Sequence, residues 1–380
     1  MKEYTVLTIN PGSASTKMGV VRGDKVILNK EVDHHKEDFA DCTTFADQEP
    51  IRTEMILKAL KDEGIELSEI DAVSGRGVGL YACGTYKIDD LVFEHAKNDV
   101  AGIHHPATLG IVISYKLGKQ LGIPAFYVNP MPTDELCDEA RVTGIPGIYR
   151  TARSHPLNQK QVAIHHSEKM GVKYEDSNYV ILHLGGGTSI TAHCHGKMID
   201  TNRAGDGQGP MSPNRSGDIC IDDVMNCIKK GMTVEEVNEY ASNKGGLLAW
   251  CGTDDLRQVK EMIAKGDKKA ELAYNAMIYS MGKWTAMMAG AMKGKVDAIL
   301  LTGGMAKDTE LCEKLSEYIS WIAPVYNYAG SFETEALGFG AVRVLKGEEE
   351  AKTYTMRQQP QVPHTTLKSS SQKKKLFPHS

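Results

Sequence analysis

Apolar positions near the start of the chain fall in short β-branched stretches broken by turn formers, without the three-to-four spacing of an amphipathic helix. Residues 4–9 read as a strand that ends in Asn10-Pro11-Gly12-Ser13-Ala14-Ser15. Residues 17–21 and 25–29 read as two more strands about the turn Arg22-Gly23-Asp24. The pattern returns much later: an apolar strand over 179–184, the run Gly185-Gly186-Gly187-Thr188-Ser189, a strand over 190–195, a Gly196-Lys197 turn and a strand over 198–200. Aligning Asn10 with Leu184 and Gly23 with Gly196 brings the two stretches together, so a three-strand meander with a polar, glycine-bearing hairpin recurs about halfway along.

Helical spacing follows each meander, at 52–61, 110–121 and 159–170 in the first half and at 234–242 and 270–292 in the second. Strand candidates at 72–74, 125–128, 298–301 and 325–328 lie between them. This predicts a duplicated α/β architecture of two lobes, 1–175 and 176–348, with a ligand cleft between them. Met277, Met281, Met287, Met288 and Met292 share an approximate helical stripe with Trp284, which places them in a core. After Gly347 the composition shifts to Gln, Pro, Ser, Thr and Lys, which predicts a disordered tail over 349–380.

Composition narrows the function classes. Across 380 residues, 44 Lys and Arg against 49 Asp and Glu leave a net charge of -5, too balanced for a grip on nucleic-acid phosphates. No apolar run approaches the ~18 residues of a membrane span, and the first residues lack the basic and apolar regions of a signal peptide, so a mature cytoplasmic chain is expected. The eight cysteines show no CxxC pairing and read as reduced thiols. His193-Cys194-His195 lacks third and fourth ligands at a recognisable spacing, so no zinc site is expected.

Three glycine-bearing turns at strand ends carry the candidate chemistry. Asn10, Ser13, Ser15 and Lys17 offer amide, hydroxyl and ammonium donors around one turn, a setting that suits phosphate. His183, Gly185, Gly186 and Gly187 form the second. Thr302-Gly303-Gly304-Met305 follows a buried strand and precedes a helix, where backbone N–H groups meet a positive helix end. Neither GxxxxGK[ST] nor GxGxxG is present, which argues against a Walker loop and a dinucleotide fold.

The opening run Thr8-Ile9-Asn10-Pro11-Gly12-Ser13-Ala14-Ser15-Thr16-Lys17 resembles that of the acetate and butyrate kinases, in the actin/sugar-kinase/Hsp70 superfamily. Ser74-Gly75-Arg76-Gly77, His155-Pro156-Leu157-Asn158-Gln159-Lys160, His183-Leu184-Gly185-Gly186-Gly187, Gly209-Pro210-Met211-Ser212-Pro213-Asn214-Arg215-Ser216-Gly217 and Glu335-Ala336-Leu337 follow in that family's order. Several of these runs resemble the butyrate and branched-chain fatty acid kinases more than the acetate kinases. The resemblance implies a duplicated ribonuclease-H-like, actin-like ATPase fold and the reversible transfer of the ATP γ-phosphoryl to a short-chain carboxylate, in a homodimer or larger homo-oligomer. Acetate, propionate or isobutyrate is an alternative acceptor, and a catalytically weak nucleotide-gated binding protein an alternative class.

By the same resemblance, Arg76 pairs with the substrate carboxylate, Arg215 braces the carboxylate and the transferring phosphoryl, and His155 donates to that phosphoryl. Asp134 orients Mg2+ or Arg215. Glu335 reaches Mg2+ through water with Asn10 nearby, Glu333 being a close alternative. His183 and Gly185 to Gly187 contact the ATP phosphates, Gly303 and Gly304 cradle the nucleotide, and His104 and His105 lie where the family lines its acyl pocket. Gln208 and Asn214 stand where relatives carry acidic residues, so the support of Arg215 is expected to differ. An ionised fatty acid needs no general base, whereas a sugar hydroxyl does.

Overall fold

The computed structural model describes residues 2–13, 15–77, 83–100, 105–131 and 133–355. Ala14, His104, Pro132 and the part of the expected tail after Thr355 lie outside these residues. The described chain builds two sheets. In the first, β1 (Thr5–Pro11), β2 (Ser15–Arg22) and β3 (Lys25–Asp33) form the expected meander. After α1 (Glu49–Asp62) come β4 (Ala72–Gly75), β5 (Thr85–Lys87), α2 (Asp90–Lys97), α3 (Leu109–Leu121), β6 (Ala125–Val128) and α4 (Asp138–Arg141). The strand order is β3-β2-β1-β4-β6-β5, with β1 antiparallel to β2 and parallel to β4.

Helix α5 (Pro156–Met170) leads to the second meander, β7 (Asn178–His183), β8 (Ser189–Cys194) and β9 (Lys197–Thr201). Then follow α6 (Ile221–Lys229), α7 (Val234–Glu239), α8 (Gly246–Cys251), α9 (Leu256–Ala264), α10 (Lys268–Ala291), β10 (Ala298–Gly303), α11 (Thr309–Ile319), β11 (Val325–Ala329) and α12 (Glu333–Lys346). This sheet has the order β11-β10-β7-β8-β9. Each sheet thus has a central strand with a meander on one side and two strands on the other, β4 and β6 or β10 and β11, that run parallel to it, with β5 added antiparallel at the edge of the first, the duplication expected from the two hairpins.

Both central strands are apolar on both faces, and strand alternation gives each face its own helices. Leu7 and Ile9 of β1 pack with Ile56 and Leu60 of α1 and Ile113 and Leu117 of α3, while Val6 packs with Ala341 and Val342 of α12. In β7, Val180 and Leu182 face Met277, Met281 and Trp284 of α10, whereas Tyr179 and Ile181 face Val162 and Ala163 of α5. Met288 and Met292 join the expected core, but Met287 is exposed because it lies one residue off the buried stripe.

Two helices cross between the sheets. Helix α5, which follows the last parallel strand of the first sheet, covers the second sheet, and α12, which follows the last strand of the second, covers the first. The helix leaving each sheet thus covers an apolar face of the other, and α5 and α12 meet through Leu157, Ala336 and Leu337. The chain from 349 to 355 is also not the free tail expected. Lys352 N donates to Thr85 O at 2.9 Å and Lys352 O accepts from Lys87 N at 3.0 Å, which straps this segment along β5, and Tyr354 packs near Tyr86 and Ile88.

Candidate active site

The carboxyl ends of β1 and β7 meet over the first turn of α12. From β1, Asn10 Nδ2 donates to Glu333 Oε2 at 2.7 Å. Arg76, just past β4, donates through Nη1 to Asn10 Oδ1 at 3.2 Å and lies 3.2 Å from Glu333 Oε1. Backbone packing fixes this arginine: Arg76 N donates to Ile9 O at 2.8 Å, and a Cβ on Gly110 of α3 would stand 2.4 Å from Arg76 O. Only glycine permits that approach of helix to strand end. The other guanidinium N–H groups of Arg76 have no partner among the described residues.

From the second sheet, His183 ends β7 and its ring stacks on that of His155 at a centroid separation of 4.0 Å and an interplanar angle of 7°. Proline at the first position of α5 sets His155 at the N-cap, and His155 Nδ1 lies 2.8 Å from Ser189 Oγ. Burial, opposed by Glu333 and aided by the Arg76 and Lys17 charges, draws His183 down to about 4. Burial, His183, Arg76 and Arg215 hold His155 well below its ordinary value. Both rings are therefore neutral near pH 7, as two closely stacked imidazoles require. Glu333 is pushed up by burial, but the Arg76 charge, the Asn10 amide and the Lys17 charge more than offset this and keep it ionised.

Arg215 arches over the second glycine turn. Its Nε and Nη2 would be 3.3 Å from a Cβ on Gly187, its Nε donates to Ala204 O at 3.1 Å, and its Nη1 to Asn243 Oδ1 at 3.2 Å. Asn214 stands over Gly186 in the same way. Gln208 accepts from Arg203 N at 3.3 Å, the hydrogen-bond partners of Arg215 are neutral, and the Asp206 carboxylate is the acidic group whose charge reaches Arg215. At the third turn Gly303 has φ +92°, and a Cβ there would stand 2.3 Å from Leu184 O, so the two turns are held back to back. Beyond them a cavity of about 710 Å³ is lined by Gly186, Pro213, Asp254, Asp255, Gly304 and Lys307, ample for a nucleoside.

Some expected residues lie elsewhere. Asp134 does not reach Arg215: its side chain, 2% exposed, accepts from Arg141 Nη2 at 2.6 Å, Leu136 N at 3.2 Å and Ala152 N at 3.0 Å. Arg141, seven residues on at the end of the short helix α4, captures the carboxylate. Glu335 does not face Asn10, because two residues along a helix turn a side chain to the far side, where its neighbour is His165. The carboxylate at Asn10 is that of Glu333. Ser15 Oγ donates to Glu31 at 2.5 Å, Ser13 is exposed at the hairpin tip, and Lys17 is exposed but electrostatically felt by His183 and Glu333. His105 caps the turn before α3 by accepting from Ala107 N. His193 bonds Tyr174, and no group of three His, Cys, Asp or Glu side chains suited to a metal occurs among the described residues. The sequence reading gave no role to Asn158, which links His183, Thr302 and Phe332. Its spacing of three from His155, on one helix face, was the available signal.

Comparison with known proteins agrees with this geometry. The sequence pattern of the Acetokinase family matches residues 147–319. A probable butyrate kinase of Clostridium botulinum (strain Alaska E43 / Type E3) is 41% identical over 354 residues, 92% of this chain and 99% of the relative. Butyrate kinase 1 of Clostridium acetobutylicum is 40% identical over 355 residues, with the same coverage. The fold is that of Porphyromonas gingivalis acetate kinase, with a TM-score of 0.72 at 22% identity over 90% of this chain and 100% of that one. Entamoeba histolytica acetate kinase gives 0.71 at 18%, again over 90% and 100%. The chain belongs to the acetokinase family, kinases of carboxylates.

Proposed function

We propose that this protein is a butyrate kinase, transferring the γ-phosphoryl of ATP reversibly to butyrate or a branched short-chain acid. One observation carries the reading from the site itself: neither buried carboxylate is placed to act as a general base. Asp134 is engaged by Arg141 and two backbone N–H groups, and Glu333 is held ionised, and so weakly basic, between Asn10 and Arg76. A hydroxyl acceptor would need such a base; a carboxylate, already ionised, needs cations and neutral donors.

Those are what the cleft offers. Arg76 takes the carboxylate of the acid with its free N–H groups, in the bidentate geometry that suits a planar anion. A carboxylate oxygen attacks the γ-phosphorus in line, the new O–P bond forming as the bond to the ADP oxygen breaks. Arg215 lies over the charge spread on the equatorial oxygens, and His155 and His183 add neutral donors. The backbone of Gly185 to Gly187 approaches the phosphates, and the cavity beside Gly304 takes the nucleoside. Asn10, Ser13 and Lys17 face the phosphate from the first hairpin. The donor set fits magnesium, which favours hard oxygens and keeps most of its waters: Glu333 and the Asn10 amide oxygen would hold it, and it would neutralise charge on the β- and γ-phosphates. Closure of the lobes excludes water that would otherwise hydrolyse ATP.

Helix α6 leaves Ile221 and Met225 exposed, as Val234 is on α7. That apolar face supports a homodimer or higher homo-oligomer. No helix among the described residues is long and apolar enough to cross a membrane, and a cytoplasmic location completes the proposal. The test is hydroxylamine-trapped acyl phosphate formed from MgATP and a straight and branched C2 to C6 acid series. A maximum at butyrate or isobutyrate is expected. A maximum at acetate would correct the substrate, and no hydroxamate with any acid would overturn the reading.

A further inference from the structure

Asn158 is fully buried in the first turn of α5, and its partners fix which way round its amide lies. The Phe332 backbone N–H, just ahead of α12, points at one amide atom at 2.7 Å. A peptide N–H only donates, so that atom is the carbonyl Oδ1 and the usual ambiguity of an amide flip is removed. The other amide atom, Nδ2, then faces His183 Nδ1 at 2.9 Å and Thr302 Oγ1 at 3.1 Å. Thr302 Oγ1 in turn donates to Gly330 O at 3.2 Å, which leaves it free to accept from Asn158. Every group in the set has one consistent role.

An amide nitrogen cannot accept, so His183 Nδ1 must, and it carries no proton. A neutral imidazole with a bare Nδ1 bears its proton on Nε2. That Nε2 lies 3.7 Å from where a Cβ on Gly185 would stand, at the mouth of the glycine turn, and has no hydrogen-bond partner among the described residues. Around the ring stand Arg76 beyond β4, Lys17 on β2, Glu333 on α12 and the stacked His155 at the head of α5.

We propose that Asn158 is a positioning residue that sets the tautomer of His183, so that Nε2 presents an N–H, and not a lone pair, to the phosphoryl group held over the glycine turn. This rests on the phosphotransferase reading of the site. With the opposite tautomer a lone pair would face the phosphate oxygens, and a hydrogen bond that grows as charge develops would become a repulsion.

Nitrogen-15 NMR of histidine-labelled protein near neutral pH reads the tautomer directly, with the His183 signals assigned by their loss in His183→Gln. The expected spectrum has Nδ1 unprotonated and Nε2 protonated. Asn158→Asp keeps an acceptor for the Phe332 N–H and replaces the donor by an acceptor of the same size. It should bring a proton onto Nδ1 and lower kcat for hydroxamate formation about 10- to 100-fold, with KM for MgATP changed less than about threefold. A proton on Nδ1 in the unaltered protein overturns the proposal, and that spectrum decides the tautomer even if the variant fails to fold. A bare Nδ1 in Asn158→Asp, or a reversed tautomer with unchanged kcat, overturns it equally. Absence of hydroxamate from the unaltered protein would sink the phosphotransferase reading instead, while the spectrum would still settle the tautomer.

Discussion

Two buried arginine–carboxylate pairs, Asp134–Arg141 and Glu333–Arg76, have the same chemistry in opposite settings. Asp134 and Arg141 are 2.6 Å apart, their side chains 2% and 6% exposed, and two backbone N–H groups also donate to the carboxylate. Glu333 and Arg76 are 3.2 Å apart, 12% and 20% exposed, with one amide between them and several guanidinium N–H groups unspent. The carboxylate of the first is spent within the segment between β6 and α5, although Arg141 Nη1 is buried without a partner among the described residues. The second is open toward the cleft, and its unspent donors are where an anion can add. Where the unspent donors face, into packed protein at Arg141 and toward the cleft at Arg76, separates the structural pair from the site more than burial or charge does.

The largest effect is expected at the structural pair. Asp134→Ala leaves Arg141 buried without its counter-charge, which should cost roughly 3–5 kcal/mol of stability. Chemical denaturation measures this, and a loss under about 1 kcal/mol would mean that the pair is not the structural unit described. At the open pair the damage should fall on turnover. Arg76→Ala removes the cation facing the acid, so kcat/KM for butyrate should drop about 10²–10³-fold while the melting temperature stays nearly level. A large loss of stability with little loss of activity would reverse the assignment of the two pairs.

How much of this contrast was legible in the sequence follows from the range of the forces involved. The meanders, the buried strands and α3, α5 and α10 were visible because period and turn chemistry are local. Strand β6 came out as Ala125–Val128, as its apolar run indicated. The exchange of α5 and α12 between sheets was not legible, since it depends on which apolar face lies nearest after folding. Among candidate site residues, motif order singled out Arg76, His155, His183 and Arg215, which the fold brings near one another. It could not say that Arg141, seven residues on, would take Asp134, nor which of two glutamates on one helical turn would face Asn10. Those choices are made by rotation about a helix and by competition among donors.

Acidification probes the open site from a third direction. Burial lowers His183 to about 4 and holds His155 well below the ordinary histidine value near 6.5. Between those limits the unfolded chain binds protons that the folded chain does not, so stability rises with pH across the window and falls as pH drops from about 6.5 toward 4. Melting temperatures over this range should therefore decline by a few degrees, and His183→Gln should flatten the decline. A slope of opposite sign would show that the stacked pair is protonated in the fold.

The smallest expected effect is at Glu335, and it bears most sharply on how the open pair is defined. Glu333 and Glu335 are two residues apart on α12, about 200° around the helix from one another. Glu333 is held ionised by Asn10 and Arg76. Burial raises Glu335, and its Oε2 is buried without a partner among the described residues. A carboxyl raised in the fold is a small liability at neutral pH, because stability is lost as pH rises through its titration. Glu335→Gln should leave kcat within about twofold and raise stability by no more than about 0.5 kcal/mol, whereas Glu333→Gln should abolish most turnover. Were Glu335→Gln instead to cost tenfold or more in kcat and to weaken the dependence on magnesium, the carboxylate serving the metal would be the one turned away from Asn10, and α12 would have to rotate on substrate binding to bring it in.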